Sequence, residues 1–309
     1  MELSARLKGF LSCELNGNPY SAVDPVRLFM YLKNKRPELF FSPGYNAPFG
    51  KPCDFVFSVH DLNHIAVKEN RSLLKTTYYK HVLLPAIHNA RVVLTVSEFS
   101  RKEILRWSGV SDKKVVSVRQ GISQLFRPDG EVYRRSRPYF LYVGTDRPHK
   151  NLERMIRAFD ASGASKECDF VITGLLRPRL QKLVTELNIS QYVHSLGGVS
   201  DEKLAALYRG AVCLVFASLY EGFGLPIVEA MACGTPVLTA NVASMPEVAG
   251  DAALLADPYN VDELGSGMMR ILRDAGGRKE MIASGIKRAS HYKWEEAAGF
   301  VQTVLDDRM

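Results

Sequence analysis

Short apolar runs alternate with stretches of helical spacing along most of the chain. In the first half, residues 39–43, 55–59, 91–96 and 114–118 are apolar runs of strand length, rich in Val and Phe. Between them, the basic stretch 71–89 has helical spacing, and Pro85 is placed to kink it. Ser97 stands where a hydroxyl can accept a free amide and start a helix over 98–105. Residues 119–138 are rich in Arg, Gly and Pro, show no period, and read as a linker. The alternation then restarts, with strands expected at 139–144, 169–174, 194–196, 212–217, 236–239 and 253–255. Helices are expected at 151–161, 177–187 and 201–208, among others. Repeated βα units predict an α/β chain built on parallel sheets with helices on both faces. Ligands of such sheets bind beyond the carboxyl ends of the strands.

The most informative segment lies at one of those ends. After the apolar run 212–217 the chain reads Glu221-Gly222-Phe223-Gly224-Leu225-Pro226-Ile227-Val228-Glu229. Glycines let backbone amides approach a ligand closely, and Pro226 suits the first turn of a following helix. A helix start favours phosphate through its unpaired amides and its dipole. Glu229, expected within the first helical turn, could accept two hydroxyls of a diol. Glu221 and Glu229 could equally be a capping pair; the intervening Gly-Phe-Gly-Leu-Pro favours a nucleotide-sugar site.

Gly144-Thr145-Asp146-Arg147-Pro148-His149-Lys150-Asn151 also follows a strand and opens a helix. Lys150 can neutralise a diphosphate and Arg147 can add a forked pair of bonds. Gly197-Gly198-Val199-Ser200-Asp201 precedes another helix, with Ser200 or Asp201 as its cap; Val199 and Asp201 could instead meet a nucleobase edge. His60-Asp61-Leu62-Asn63-His64 comes directly after a strand. The spacing of His60 and His64 matches helical zinc pairs, but a strand end is the wrong context for one. An active-site His60 oriented or tuned by Asp61 is the better reading.

Bulk properties narrow the class. The chain has 309 residues, 46% of them hydrophobic, enough for two cores. No apolar run approaches the roughly 18 residues of a membrane span, and the N-terminus lacks a signal-peptide stretch. Five widely spaced cysteines, an odd number, suit free thiols in a reducing compartment and predict a cytoplasmic protein. Charge is uneven: residues 1–138 hold 22 Lys+Arg and 12 Asp+Glu, net +10, whereas residues 139–309 are net −3. The basic half suits a polyanion, an acidic membrane surface or a lipid diphosphate, or is simply a solvated surface. It carries no groove-reading helix or interleaved aromatic face, which argues against nucleic acid.

Taken together, the 221–236 segment, Val59-His60-Asp61-Leu62, Thr95-Val96-Ser97-Glu98-Phe99-Ser100 and His149-Lys150-Asn151-Leu152 resemble glycosyltransferase family 4, the retaining GT-B enzymes, and in particular their bacterial mannosyltransferase branch. The resemblance runs from about residue 39 to 294. It implies two Rossmann-like domains facing across a cleft. Residues 1–133 would form an acceptor-side domain that looks shortened, since 1–38 lack the usual first strand and glycine-rich loop. Residues 134–290 would bind the nucleotide sugar, and 291–309 would return as a helix to the first domain. By resemblance, Glu229 binds the ribose, Lys150 and Arg147 hold the diphosphate beside Gly144, and Val199 and Asp201 read the base. Glu221 with the Gly222, Phe223, Gly224 and Leu225 backbone meets the transferred sugar, and His60 and Asp61 stand near the reacting centre. An acidic Asp201 leans towards guanine, hence GDP-mannose. Thr145 departs from the Arg that many members carry after this glycine, so the diphosphate role is best anchored on Lys150. The implied reaction is metal-independent, retaining hexosyl transfer to a saccharide or lipid-diphosphate-linked acceptor in surface polysaccharide synthesis, with peripheral contact to an anionic membrane. A non-catalytic nucleotide-sugar-binding or scaffold protein is the alternative.

Overall fold

The computed structural model describes residues 6–9, 11–12 and 23–307. The chain divides into two compact units: Met1–Gly121 together with Lys293–Met309, and Ile122–Tyr292.

The first unit is built on a four-stranded parallel sheet in sequential order: β1 (Leu39–Ser42), β2 (Asp54–Ser58), β3 (Val92–Thr95) and β4 (Val115–Ser117). Alternation along the strands fills both faces. Phe55, Phe57 and Val93 pack with Tyr79, Leu83, Ile87 and Ile104 on one side. Val56, Val92 and Leu94 pack with Val301 and Leu305 on the other. Those last two residues come from helix Trp294–Asp306, so the end of the chain completes the core of the first unit. Ser97 caps helix Glu98–Ser108 through the Ser100 amide, as the sequence suggests. The expected 71–89 helix is Leu73–Tyr78 and Leu84–Asn89 joined by a π-helical turn, Tyr79–Leu83. Pro85 has no N–H to give, so the ladder slips to a wider register just before it. Of the 1–38 stretch, residues 1–5, 10 and 13–22 lie outside those described, and Asp24–Lys35 is helical.

The second unit holds six parallel strands: β5 (Tyr139–Val143), β6 (Asp169–Thr173), β7 (Val193–Ser195), β8 (Cys213–Phe216), β9 (Val237–Ala240) and β10 (Leu254–Ala256). Their spatial order is β10-β9-β8-β5-β6-β7. The chain winds outward from β5 to β7, returns to β8 and winds the opposite way. The neighbours β5 and β8 therefore flank the switch point, where the loops leaving their carboxyl ends diverge and open a crevice.

Residues 122–138, expected within a linker, are mostly bound to this unit. Arg209 donates to the Arg127 and Glu131 carbonyls, and the Tyr133 amide to the Ala206 carbonyl. Arg135 and Arg137 both pair with the buried Asp169 at the amino end of β6. The segment lacks periodicity because its hydrogen bonds go to distant elements rather than to itself.

Candidate functional site

The loop after β5 and the loop after β8 meet at the switch point. Lys150 Nζ donates to Glu221 Oε1 at 2.7 Å, and both side chains are largely shielded from water. The same ammonium lies 5.5 Å from the centroid of the Phe216 ring. The backbone joins these loops as well, with the Leu219 amide donating to the His149 carbonyl at 2.7 Å.

Asn151, one residue past Lys150, is the knot of this arrangement. It adopts a left-handed conformation with φ of 59°, and its Nδ2 donates to the carbonyls of Ala217 (2.9 Å) and Pro258 (2.7 Å). One buried amide thus ties the loops after β5, β8 and β10. Ser244 does the same for the glycine loop. Its buried hydroxyl lies 2.9 Å from the Glu221 carbonyl and 2.7 Å from that of Phe223. With those carbonyls turned inward, the turn keeps a fixed shape.

Gly224 caps the next helix, Leu225–Ala232, at φ of 103°, a conformation that disfavours any side chain. Pro226 sits in the first turn as the sequence suggests. Glu229 does not: the helix begins at Leu225, so Glu229 falls in its second turn. There it faces helix Asp201–Gly210, and the Tyr208 hydroxyl donates to Glu229 Oε2 at 2.9 Å. Burial pushes the Glu229 carboxyl up to about 7; the Tyr208 hydrogen bond opposes that, and the charge of Asp201 adds to it. Asp201 is therefore near Glu229, at the exposed start of its helix. Ser200, not Asp201, is the cap, accepting from the Lys203 amide. Val199 precedes it in the Gly197-Gly198 turn, which is bonded to Gly174 at the end of β6.

Around Gly144 the loop is braced from within. The Tyr142 hydroxyl donates to the Thr145 carbonyl at 2.6 Å, and Asp146 pairs with Arg177 at 2.8 Å. Arg147 is exposed. The Phe223 ring is buried edge-on against Tyr292, so this residue offers a ligand its backbone rather than its ring. Gly222 and Gly224 are buried at the turn, while Leu225 stays partly exposed.

His60 and Asp61 belong to the first unit, just past β2. The Asp61 carboxylate accepts from the Asn63 amide (2.9 Å) and stands 3.2 Å from the Tyr45 hydroxyl. Tyr45 in turn lies against the His60 ring, centroids 5.8 Å apart, and His60 Nε2 is 3.2 Å from the Pro43 carbonyl. Asp61 thus bears on His60 through Tyr45. His64 Nδ1 faces the Lys75 ammonium at 3.2 Å, a poor neighbour for a metal ion. Among the described residues no three His, Cys, Asp or Glu side chains converge as a metal site, and Cys53, Cys168, Cys213 and Cys233 are free thiols. No helix among them is long and apolar enough to cross a membrane.

Residues 129–288 match the family model described as Glycosyl transferases group 1. The O-antigen chain mannosyltransferase B of Escherichia coli is 31% identical over 290 residues, covering 89% of this chain and 76% of that protein. The MMP alpha-(1->4)-mannosyltransferase of Mycolicibacterium hassiacum is 35% identical over 220 residues, 69% of this chain and 52% of that one. Among solved structures, a sucrose-phosphate synthase from Thermosynechococcus elongatus superposes with a TM-score of 0.79 at 21% identity, covering 98% of this chain and 82% of that one. That likeness identifies the fold as GT-B.

Proposed function

The chain belongs to the group 1 glycosyl transferases, and from that premise we propose that it is a retaining mannosyltransferase of surface polysaccharide synthesis using GDP-mannose. The observation that carries the reading is the Lys150–Glu221 pair, held at the switch point beside the start of helix Leu225–Ala232. A diphosphate entering there draws the ammonium off Glu221. Arg147 and the amides at the helix start add to the field on the leaving group. Glu221, released, accepts from hydroxyls of the sugar. Glu229 takes the ribose diol, and Asp201 with Val199 meets the base, where a carboxylate suits the N1–H and N2–H donors of guanine.

Breaking the bond between the anomeric carbon and the phosphate oxygen leaves the electron pair on the diphosphate and positive charge on the sugar. The acceptor hydroxyl attacks from the same face, and its proton passes to the departing phosphate oxygen. Lys150, Arg147 and the helix-start amides stabilise that departure, so the reading requires no divalent ion. A thermal-shift panel of GDP-, UDP-, ADP- and dTDP-sugars tests the donor: GDP-mannose is expected to give the largest shift. Transfer to a mannose-terminated acceptor, with and without EDTA, tests the reaction. Equal activity and an α-linked product are expected. Activity abolished by EDTA, or a β-linked product, would refute the mechanism. Donor binding without transfer to any acceptor would favour the scaffold alternative.

We further propose that the first unit docks on an anionic membrane. Val23, Val26 and Met30 are exposed by more than half, and their spacing puts them on one side of helix Asp24–Lys35. Phe49 is also exposed, and its amide bonds to Pro25 at the start of that helix. Leu73 and Leu74, 86% and 74% exposed, open a second helix among Lys68, Arg71, Lys75 and Lys80. Apolar side chains among cations match a lipid surface with negative head groups. Flotation with phosphatidylglycerol vesicles should recover the protein, and a Leu73→Glu/Leu74→Glu variant should float roughly tenfold less. Equal flotation with neutral phosphatidylcholine vesicles would overturn the proposal.

A further inference from the structure

Tyr208 is fully buried, and its hydroxyl donates to the one carboxylate assigned to the ribose. Several contacts fix it. The Thr235 hydroxyl donates to its carbonyl at 2.6 Å, and the Phe126 ring packs edge-on against its own at 5.9 Å. The next residue, Arg209, is bound to the Arg127 and Glu131 carbonyls. A phenol held this firmly cannot follow Glu229; the carboxylate must come to it. The hydroxyl proton is committed to Oε2, which leaves Oε1 as the oxygen without that bond. The helix that carries Tyr208 also begins at Asp201, the residue assigned to the base. A single rigid element therefore bears on both ends of the nucleoside.

We propose that Tyr208 is a positioning residue of the donor site: its hydrogen bond to Oε2 biases Glu229 towards the ionised carboxylate, the form to which a sugar nucleotide binds. The inference rests on the assignment of Glu229 to the ribose. Two hydroxyls of a diol donate best to a carboxylate, which has acceptors only, whereas a protonated carboxyl presents a competing donor. In the empty protein the ionised form is disfavoured chiefly by burial, opposed by Tyr208 and further disfavoured by Asp201. Cys233, at the end of the same helix, adds a neutral thiol whose own ionisation burial suppresses. Burial thus pushes the Glu229 midpoint up to about 7, so that the carboxyl is partly protonated near neutrality. Its folded value is raised, so its contribution to the stability of the empty protein is present in acid and lost as pH rises through that midpoint.

Calorimetric titration of the full chain with GDP-mannose, repeated in buffers of different ionisation enthalpy, counts the protons. The diphosphate of a sugar nucleotide does not titrate near neutrality, so the count reports the protein. At pH 7 about half a proton should leave per donor bound, rising towards one at pH 6 and falling to near zero at pH 8.5. Tyr208→Phe keeps the packing and removes the hydroxyl. Its proton release at pH 7 should rise towards one, and its affinity should fall roughly tenfold at pH 7 but converge on that of the parent at high pH. A merely structural role would lower affinity by the same factor at every pH, and that result overturns the proposal. So does binding by the parent with no proton released at pH 6. Glu229→Gln, a second variant, should bind more weakly with no pH-dependent release; release that persists in it also overturns the proposal. Failure of all four classes of sugar nucleotide to bind the parent would instead refute the donor assignment itself.

Discussion

Replacement of Lys150 by Ala is expected to weaken sugar-nucleotide binding at least 100-fold and to lower turnover by a further large factor. Two effects add. The variant loses a charge-assisted contact to the diphosphate in a site shielded from water, where removing one stabilising donor typically costs about 3–4 kcal/mol. It also leaves Glu221 without its cation, in a position where the carboxylate is only 13% exposed. That unbalanced charge then repels the incoming diphosphate. Lys150→Arg should recover part of the loss, since charge is kept but the longer planar head does not fit the same spot. Calorimetry with GDP-mannose measures the binding and a steady-state transfer assay the turnover. Ordinary donor affinity in both Lys150→Ala and Glu229→Ala would remove the site from the second unit altogether.

The largest effect on stability is expected far from that crevice, at Asp169. Its carboxylate is nearly fully buried and accepts from Arg135 Nη2 (3.0 Å) and Arg137 Nε (3.0 Å), with His194 Nε2 at 3.2 Å. Asp169→Ala strands two guanidinium groups over an emptied pocket. Breaking a buried pair costs about 3–5 kcal/mol; the two arginines are partly exposed, at 20% and 35%, which lowers the expectation to about 2–4 kcal/mol. The urea midpoint should fall accordingly, and the melting temperature by roughly 5–10 °C for a unit of this size. Asp169→Asn, which keeps an acceptor, should cost less than half as much. Asp169 lies at the amino end of β6, whereas the site lies beyond the carboxyl ends. Donor affinity at low temperature should therefore hold. A melting temperature unchanged in Asp169→Ala would show that the triad contributes nothing net.

Much of this architecture was legible because parallel strands buried on both faces are continuous apolar runs. Phe55-Val56-Phe57 and Cys213-Leu214-Val215-Phe216 need no partner to be recognised, and strand ends moved by only a residue or so. Glu221, Glu229 and Lys150 stood out because glycines and a proline punctuate them. What stayed hidden depends on contacts between distant residues. Asn151 acts across 66 and 107 residues, Ser244 across 23 and 21, and Tyr208 across 21. An Asn after a lysine, a Ser before Met-Pro and a Tyr late in a helix look ordinary in isolation. Glu229 falls just past the first helical turn because Gly224 is the last residue outside the helix, which the sequence does not mark. Helix Val261–Arg273 is only weakly marked in the sequence, since Gly265 and Gly267 lower its intrinsic propensity. Packing explains Gly267: a methyl there would come within 2.9 Å of Leu238.

The helix that closes the first unit has a consequence for how the chain is made. Val301 and Leu305 cover Val56, Val92 and Leu94, yet about two hundred residues separate them along the polypeptide. On a ribosome the second unit is an uninterrupted stretch and can settle once its own residues have emerged. The first unit, although synthesised earlier, must keep one side of its sheet uncovered until residues 294–306 have emerged. Birth order and completion order are therefore opposite, and the early-born apolar surface is the one that most needs shelter from other nascent chains.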